Sequence, residues 1–249
     1  TTGYEEAAAQ GLVCGINAAL RTMNKDPLVL TRSSSYIGVM IDDLITKDTV
    51  EPYRMFTSRA EHRLVLRYSN TIDRLLDSAM SCGSLDAKKA TFLNKVLNKK
   101  NDGFNLLSGS ILPNEIEELT KLKQSMKARD VLKRNEVAIS YLPARLTPNL
   151  SGFPAWLKDD VLYDIETEIK YEGYVKRSMK EIKSIKKREN IELSKNTIYG
   201  EVPGLSSEAI EKLSSVRPQN LGQAMRISGI TPADISVLSI YISKNKGFT

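Results

Sequence analysis

The sequence predicts a mainly α-helical chain: a bundle of short-connected helices over residues 70–249, preceded by a helix and a short strand-containing segment. Two observations carry this. Mostly apolar residues recur at intervals of three and four, most persistently over 157–188 with Leu162, Ile165, Ile169, Tyr171 (or Glu172), Val175, Met179, Ile182 and Ile185, the spacing that lines one face of a helix. Capping residues and breakers such as Asn70, Gly83, Arg217-Pro218, Gly229 and Thr231-Pro232 then punctuate the chain at short intervals, so successive helices are joined by short loops. No internal repeat or low-complexity stretch competes with this pattern.

Taken in order, residues 4–21 are predicted helical. Thr1 or Thr2 can cap, Glu5 and Glu6 suit the positive end of the dipole, and Ala8, Leu12, Gly15 (or Ile16) and Ala19 follow the period. Gly11 and Gly15 would admit another element closely. Residues 22–35 read as loop. Residues 36–47 are apolar enough for a helix or a buried strand, and their length favours helix. Residues 53–57 look like a short strand, and Ser58-x-x-Glu61 has the capping-box pattern of a helix starting near 58. A helix over 72–82 closes at Gly83. An amphipathic helix over 85–97 follows, then a linker over 99–113, a charged helix over 114–135 and an irregular stretch over 136–156. Residues 157–188 read as one long helix. The tail reads as short helices over about 205–215, 220–226 and 232–244. The expected segments are 1–70, 71–156 and 157–249.

Composition narrows the function classes. The 249 residues, with 41% hydrophobic and 27% charged, suffice for one or two domains with real cores. The formal charge of +6 favours an anionic partner such as nucleic acid. No apolar run is long enough for a membrane helix and no signal peptide is visible. Cys14 and Cys82 form no CxxC pair, so the expectation is an intracellular, reduced protein whose cysteines are small buried hydrophobes. The chain starts without Met, directly on a helix start, which suggests that an N-terminal domain is missing.

The chemistry-bearing residues are cationic. In EPYRMFTSRAEHRLVLR, residues 51–67, Arg59, Arg63 and Arg67 are four apart and Arg54 precedes them. That spacing aligns guanidiniums on one face of either a helix or a strand, and guanidinium is the group best suited to bidentate phosphate contact. A second basic run, Lys176, Arg177, Lys180, Lys183, Lys186, Lys187 and Arg188, faces only Glu172 and Glu181. It is either a solvated helix face or a phosphate-binding one. The adjacent Asp42 and Asp43 would point apart on a helix, so they suit a buried face better than a paired acid site. His62, the only histidine, has no nucleophile or carboxylate partner indicated and reads as a polar packing residue. There is no phosphate-binding loop, dinucleotide fingerprint, zinc-protease motif or nucleophile elbow. The residues alone indicate a helical, basic chain that binds an anion or nucleic acid.

Longer blocks carry a resemblance. TTGYEEAAAQGLVCGINAAL, SSYIGVMIDDLITKDTVEPYRMFTSRAEHRLVLRYSNTIDRL, IKYEGYVKR and EVPGLSSEAIEKLSSVRPQNLGQAMRISGITPADISVL resemble, in order, the C-terminal part of the MnmG/GidA family, flavoproteins of tRNA wobble-uridine modification. The resemblance is strong over about 1–75 and 160–240 and loose between. His62 departs from a usual Tyr, and Asp48 from a frequent Gly.

The resemblance implies an FAD- and NADH-dependent enzyme, cytoplasmic and homodimeric, that works with a GTPase partner (MnmE/TrmE). It would use methylenetetrahydrofolate as co-substrate and install a carboxymethylaminomethyl group on uridine C5 of certain tRNAs. It implies that residues 1–20 are the closing helix of a truncated FAD-binding domain, with Thr1, Thr2, Gly3 and Tyr4 facing the flavin. Arg54, Arg59, Arg63, Arg67, Lys176, Arg177, Lys180, Lys183 and Lys187 become tRNA-binding candidates, and the apolar helices 205–245 a candidate surface for the GTPase. The redox centre would lie outside this chain, which alone would be inactive. A stand-alone helical RNA-binding or adaptor module is the alternative. The related folate-dependent tRNA methyltransferase lacks the long helical C-terminal region.

Overall fold

The computed structural model describes residues 3–47, 51–113, 115–116 and 124–245. These residues are mainly helical, as the periodicity predicts, and fall into two compact units.

The first unit joins Thr1–Glu61 to Met179–Thr249. Helix α1, Tyr4–Thr22, starts on Gly3 and buries Glu6, Val13 and Leu20. That stripe is not the expected one. Leu12 is 55% exposed, and a Cβ added at Gly11 or Gly15 would meet nothing within 4 Å. The reason lies in Glu6. Its carboxylate is buried against Gly3 and accepts the Met55 N–H at 2.7 Å, which turns the face carrying residue 6 inward. Thr1 and Thr2, the expected caps, lie outside the described residues, as does Asp48.

Helix α2, Tyr36–Thr46, is capped by Ser35, whose hydroxyl accepts the Gly38 N–H. Residues 53–56 form no strand, and a 3-10 turn at Thr57–Arg59 replaces the helix expected from 58. The capping box fails because Glu61 does not turn back to the chain start. Its carboxylate accepts from the Arg32 guanidinium at 2.6 Å.

The rest of this unit is built from short helices. Arg217 ends one of them in the left-handed conformation (φ 51), and Gly229 (φ 92) turns the chain before the last. Leu193, Tyr199, Val202, Ala209, Leu213, Leu221 and Leu238 form their shared core.

The second unit is His62–Ser178. Helix α3, Thr71–Ser81, ends at Gly83 (φ 73), as expected. Helix α4, Ala87–Leu106, runs through most of the predicted linker. Gly103 is no breaker there: a Cβ would lie 2.6 Å from Ile165 and 3.1 Å from Pro148, so the glycine permits close packing. Strands β1, Ser110–Ile111, and β2, Met126–Lys127, pair antiparallel, Ser110 with Lys127 and Ile111 with Met126. Helix α5 covers only Ala128–Leu132. Of the charged helix expected over 114–135, the described residues keep only this short segment, and 114 and 117–123 lie outside them.

Helix α6, Ala155–Lys170, and helix α7, Glu172–Glu189, replace the single helix expected over 157–188. Tyr171 leaves the helical region (φ −96, ψ 10), and at the break Glu172 binds Arg129, Lys133 and Lys176. Hydrogen bonds from Lys176 and Lys133 hold the Glu172 carboxyl down to about 2. Ile111, Val131, Leu132, Leu157, Ile165 and Ile169 belong to this unit's core. Helices α8, Ser207–Val216, α9, Leu221–Ala224, and α10, Pro232–Asn245, complete the chain close to the expected limits.

Among the described residues no helix is long and apolar enough to cross a membrane, and no cluster of acidic, Cys or His side chains could hold a metal. Cys14 is exposed and Cys82 half-buried, both free, so neither is the fully buried hydrophobe expected.

Candidate nucleic-acid interface

The arginines of 51–67 do not form a row. Neither regular period survives in a segment made of irregular chain, a 3-10 turn and further turns. Arg54 is exposed, with its Nε 3.8 Å from Glu6. Arg59 is half-buried, stacks 4.5 Å from the Tyr53 ring centroid and lies 3.8 Å from Asp43. Arg63 is exposed and makes no ion pair among the described residues. Arg67 is turned inward. It donates to the Leu64 carbonyl, to Asp164 at 2.9 Å and to Glu168 at 3.2 Å.

Two of the four side chains are thus accessible and two are held by partners. Arg63→Ala is expected to leave the melting temperature unchanged. Arg67→Ala should cost about 3–5 kcal/mol, because it removes one partner of a buried ion pair. Thermal unfolding of the two variants checks this, and equal behaviour would contradict the assignment.

Asp164 is almost fully buried. It accepts from Arg67 and from the Ser69 hydroxyl at 2.7 Å, and it pairs with Lys100. Burial pushes the Asp164 carboxyl up, but Lys100, Ser69 and Arg67 outweigh it and hold the group below the usual carboxylate range. The Lys100 ammonium, itself buried, is held above its ordinary value by Asp164 and Asp73 against the same desolvation.

Helix α7 presents the second basic run. Lys176, Lys180, Lys183 and Lys187 are spaced by four, three and four, which makes one stripe along the helix. Lys176 is tied to Glu172. Arg177 lies 5.8 Å from the Tyr174 ring centroid. Lys180, Lys183 and Lys187 are exposed and make no ion pair among the described residues. Ile182 is the one buried residue of α7. An exposed helix with uncompensated ammonium groups and the exposed rings of Tyr171 and Tyr174 beside its first turn offers both phosphate contact and stacking.

Of the four flavin candidates, Gly3 and Tyr4 are described. Gly3 is buried beneath the Glu6 carboxylate, and Tyr4 is 94% exposed. The Met55 N–H holds the Glu6 carboxyl below its usual range. A carboxylate already occupying the start of α1 disfavours a phosphate there. A flat, uncharged ring edge at Tyr4 meets no such obstacle.

The sequence reading missed a buried network in the first unit. Arg32 donates to Asp43 at 2.5 Å, to Asp42 at 3.3 Å, and to the Val39 and Arg59 carbonyls. Asp43 also receives Lys47 at 2.7 Å and the Tyr53 hydroxyl at 2.9 Å. Asp42 receives Arg226 bidentately at 2.7 Å on both oxygens, and Arg226 reaches Glu189 at 3.1 Å. Burial pushes the Asp43 carboxyl up, and Lys47, Arg32 and Tyr53 more than reverse it. The available signal was two adjacent carboxylates in an apolar helix, which must be paired if buried.

Comparison with known proteins bears on what these surfaces serve. A family model described as the tRNA modifying enzyme MnmG/GidA C-terminal helical domain matches residues 88–179. The corresponding C-terminal helical bundle model matches 181–248, and the model of Glucose inhibited division protein A matches 1–26. The tRNA uridine 5-carboxymethylaminomethyl modification enzyme MnmG of Bacillus cereus is 42% identical over 254 residues, covering 99% of this chain and 40% of its own. The enzyme of the same name from Alkaliphilus oremlandii is 42% identical with the same coverage. GidA of Aquifex aeolicus, in its form II crystal, superposes with a TM-score of 0.81 at 37% identity, over 97% of this chain and 38% of that one. The chain therefore spans about 40% of the length of the curated relatives it matches.

Proposed function

The chain belongs to the MnmG/GidA family of tRNA-modifying enzymes, and we propose that it is the part which grips tRNA and docks a partner. The reaction would be installation of a carboxymethylaminomethyl group at C5 of a wobble uridine. FAD supplies redox chemistry in that proposal, with NADH as reductant and methylenetetrahydrofolate as one-carbon donor. These would be held mainly by portions of the relatives that this chain does not span. Of this chain's residues, Tyr4 would meet the flavin ring edge.

The observation that carries the tRNA role is the uncompensated stripe Lys180, Lys183 and Lys187 on exposed α7. A wobble base must leave its stack to be modified, so the anticodon backbone has to be held on both sides. Arg54 and Arg63 are the accessible members of the other cationic segment. Arg59 and Arg67 would shape that segment rather than touch phosphate.

A GTPase partner would use the apolar groove of the tail, where Ile191, Leu221, Met225, Ile235 and Ile240 line about 480 Å³. Met225 and Ile240 are exposed there, and exposed apolar residues at a groove suit a protein partner.

The test is tRNA affinity as a function of salt. Replacing Lys180, Lys183 and Lys187 together with Ala should weaken binding by about tenfold or more. It should also flatten log K against log [salt], by about 0.7–0.9 for each phosphate no longer neutralised. An unchanged slope would overturn the placement of tRNA on α7.

A further inference from the structure

The second unit holds a small cleft of about 170 Å³ whose walls include Tyr68, Phe92 and Trp156. Tyr68 is 81% and Trp156 64% exposed, a costly way to display the chain's only tryptophan unless something covers it. Lys100, Asp73, Asp160 and Asp164 also line the cleft.

The polar groups there are unevenly used. Lys100 is spent on Asp73 and Asp164. The Ser69 hydroxyl donates to Asp164 and the Thr71 hydroxyl to the Tyr68 carbonyl. Both Asp164 oxygens are engaged. Asp160 is half-exposed and makes no hydrogen bond or ion pair among the described residues. The cleft thus offers aromatic faces and an uncommitted carboxylate, with three carboxylates against one ammonium.

Such a lining repels phosphate and leaves a nucleobase's acceptor atoms unmatched. It suits a group that brings only donors and positive charge, and a flat one can stack on an indole. Size points the same way. The volume is below the roughly 300–1,000 Å³ of small-molecule sites and is that of a single long side chain. We propose that this cleft receives an arginine side chain of a protein partner. Its guanidinium would lie among Trp156, Tyr68 and Phe92 and donate to Asp160.

The single tryptophan makes the test direct, because fluorescence excited at the long-wavelength edge, where the ten tyrosines do not absorb, reports only Trp156. Titration with a short arginine-containing peptide should give a saturable change, and the same peptide with citrulline, neutral but equal in shape, should give none. Asp160→Asn removes the charge without breaking any hydrogen bond among the described residues, and Tyr68→Ala removes one wall. Each should weaken the arginine peptide by about tenfold, the consequence of losing about 1.4 kcal/mol. Circular dichroism checks that both variants are folded. An equal response to citrulline, unchanged affinity in Asp160→Asn, or tighter binding of spermidine or of adenosine monophosphate than of the arginine peptide would each overturn the assignment.

Discussion

Replacing Arg32 with leucine is expected to lower stability by about 3–5 kcal/mol, the cost of removing one partner from a buried ion pair. Arg32 is 7% exposed and Asp43 is fully buried. The guanidinium serves four acceptors besides Asp43: Asp42, Glu61 and the carbonyls of Val39 and Arg59. Burial pulls the Arg32 pKa down, but Glu61 and Asp43 hold it above its ordinary value, so neutralisation is no escape. Asp42 keeps its bidentate Arg226. Asp43 keeps Lys47 and Tyr53 but loses its shortest partner, and the buried Val39 and half-buried Arg59 carbonyls lose a donor.

Urea unfolding measures the loss, and a melting temperature lower by about 10 °C should accompany it for a chain of this size. Arg32→Lys should recover less than half, because one ammonium cannot reproduce a planar fork. The double variant Arg32→Leu, Asp43→Leu should be milder than the sum of the singles, since no charge is left buried alone. A loss under about 1 kcal/mol for Arg32→Leu would show that the network is not needed.

What the sequence made legible follows from the range of the interactions. Helices α2, α3, α8, α9 and α10 carry their own local signals in Ser35, Gly83, Ser206, Asn220 and Pro232, and these are read within four residues. The errors lie where a partner far along the chain overrides the local pattern. Glu61 is bound by Arg32 instead of capping. Gly103 sits under Ile165 instead of ending a helix. The α6–α7 break comes where Glu172 answers Arg129 and Lys133.

The cationic residues divide in the same way. Spacing alone cannot separate Arg63 from Arg67, because the difference is Asp164, nearly a hundred residues on. The α7 lysines were legible as a stripe because a helix face is a local property. That Asp42 pairs with Arg226, 184 residues away, had no sequence signal beyond the burial of an acid.

The same long-range logic makes Gly38→Ala the most damaging small substitution expected. Alanine is the better helix former by about 1 kcal/mol, so in open space the change would stabilise α2. Here a Cβ would lie 2.1 Å from the Thr31 carbonyl oxygen and 2.7 Å from that of Leu30. Both are backbone atoms, and the Thr31 carbonyl is fixed by accepting from the Ser34 and Ser35 N–H groups and the Ser34 hydroxyl. It cannot swing aside without breaking the turn whose Ser35 caps α2. The loss should exceed about 3 kcal/mol, beyond ordinary overpacking.

Gly11→Ala and Gly15→Ala in α1 supply the control. Nothing lies within 4 Å of either added Cβ, so each should stabilise by about 0.5–1 kcal/mol. Thermal unfolding of the three variants should give opposite signs for the same chemical change. Displacing Thr31 also displaces its neighbour Arg32 from Asp43, so Gly38→Ala combined with Arg32→Leu should cost clearly less than the two singles added. Full additivity would separate the turn from the ion network and refute the view that Gly38 matters by placing Arg32.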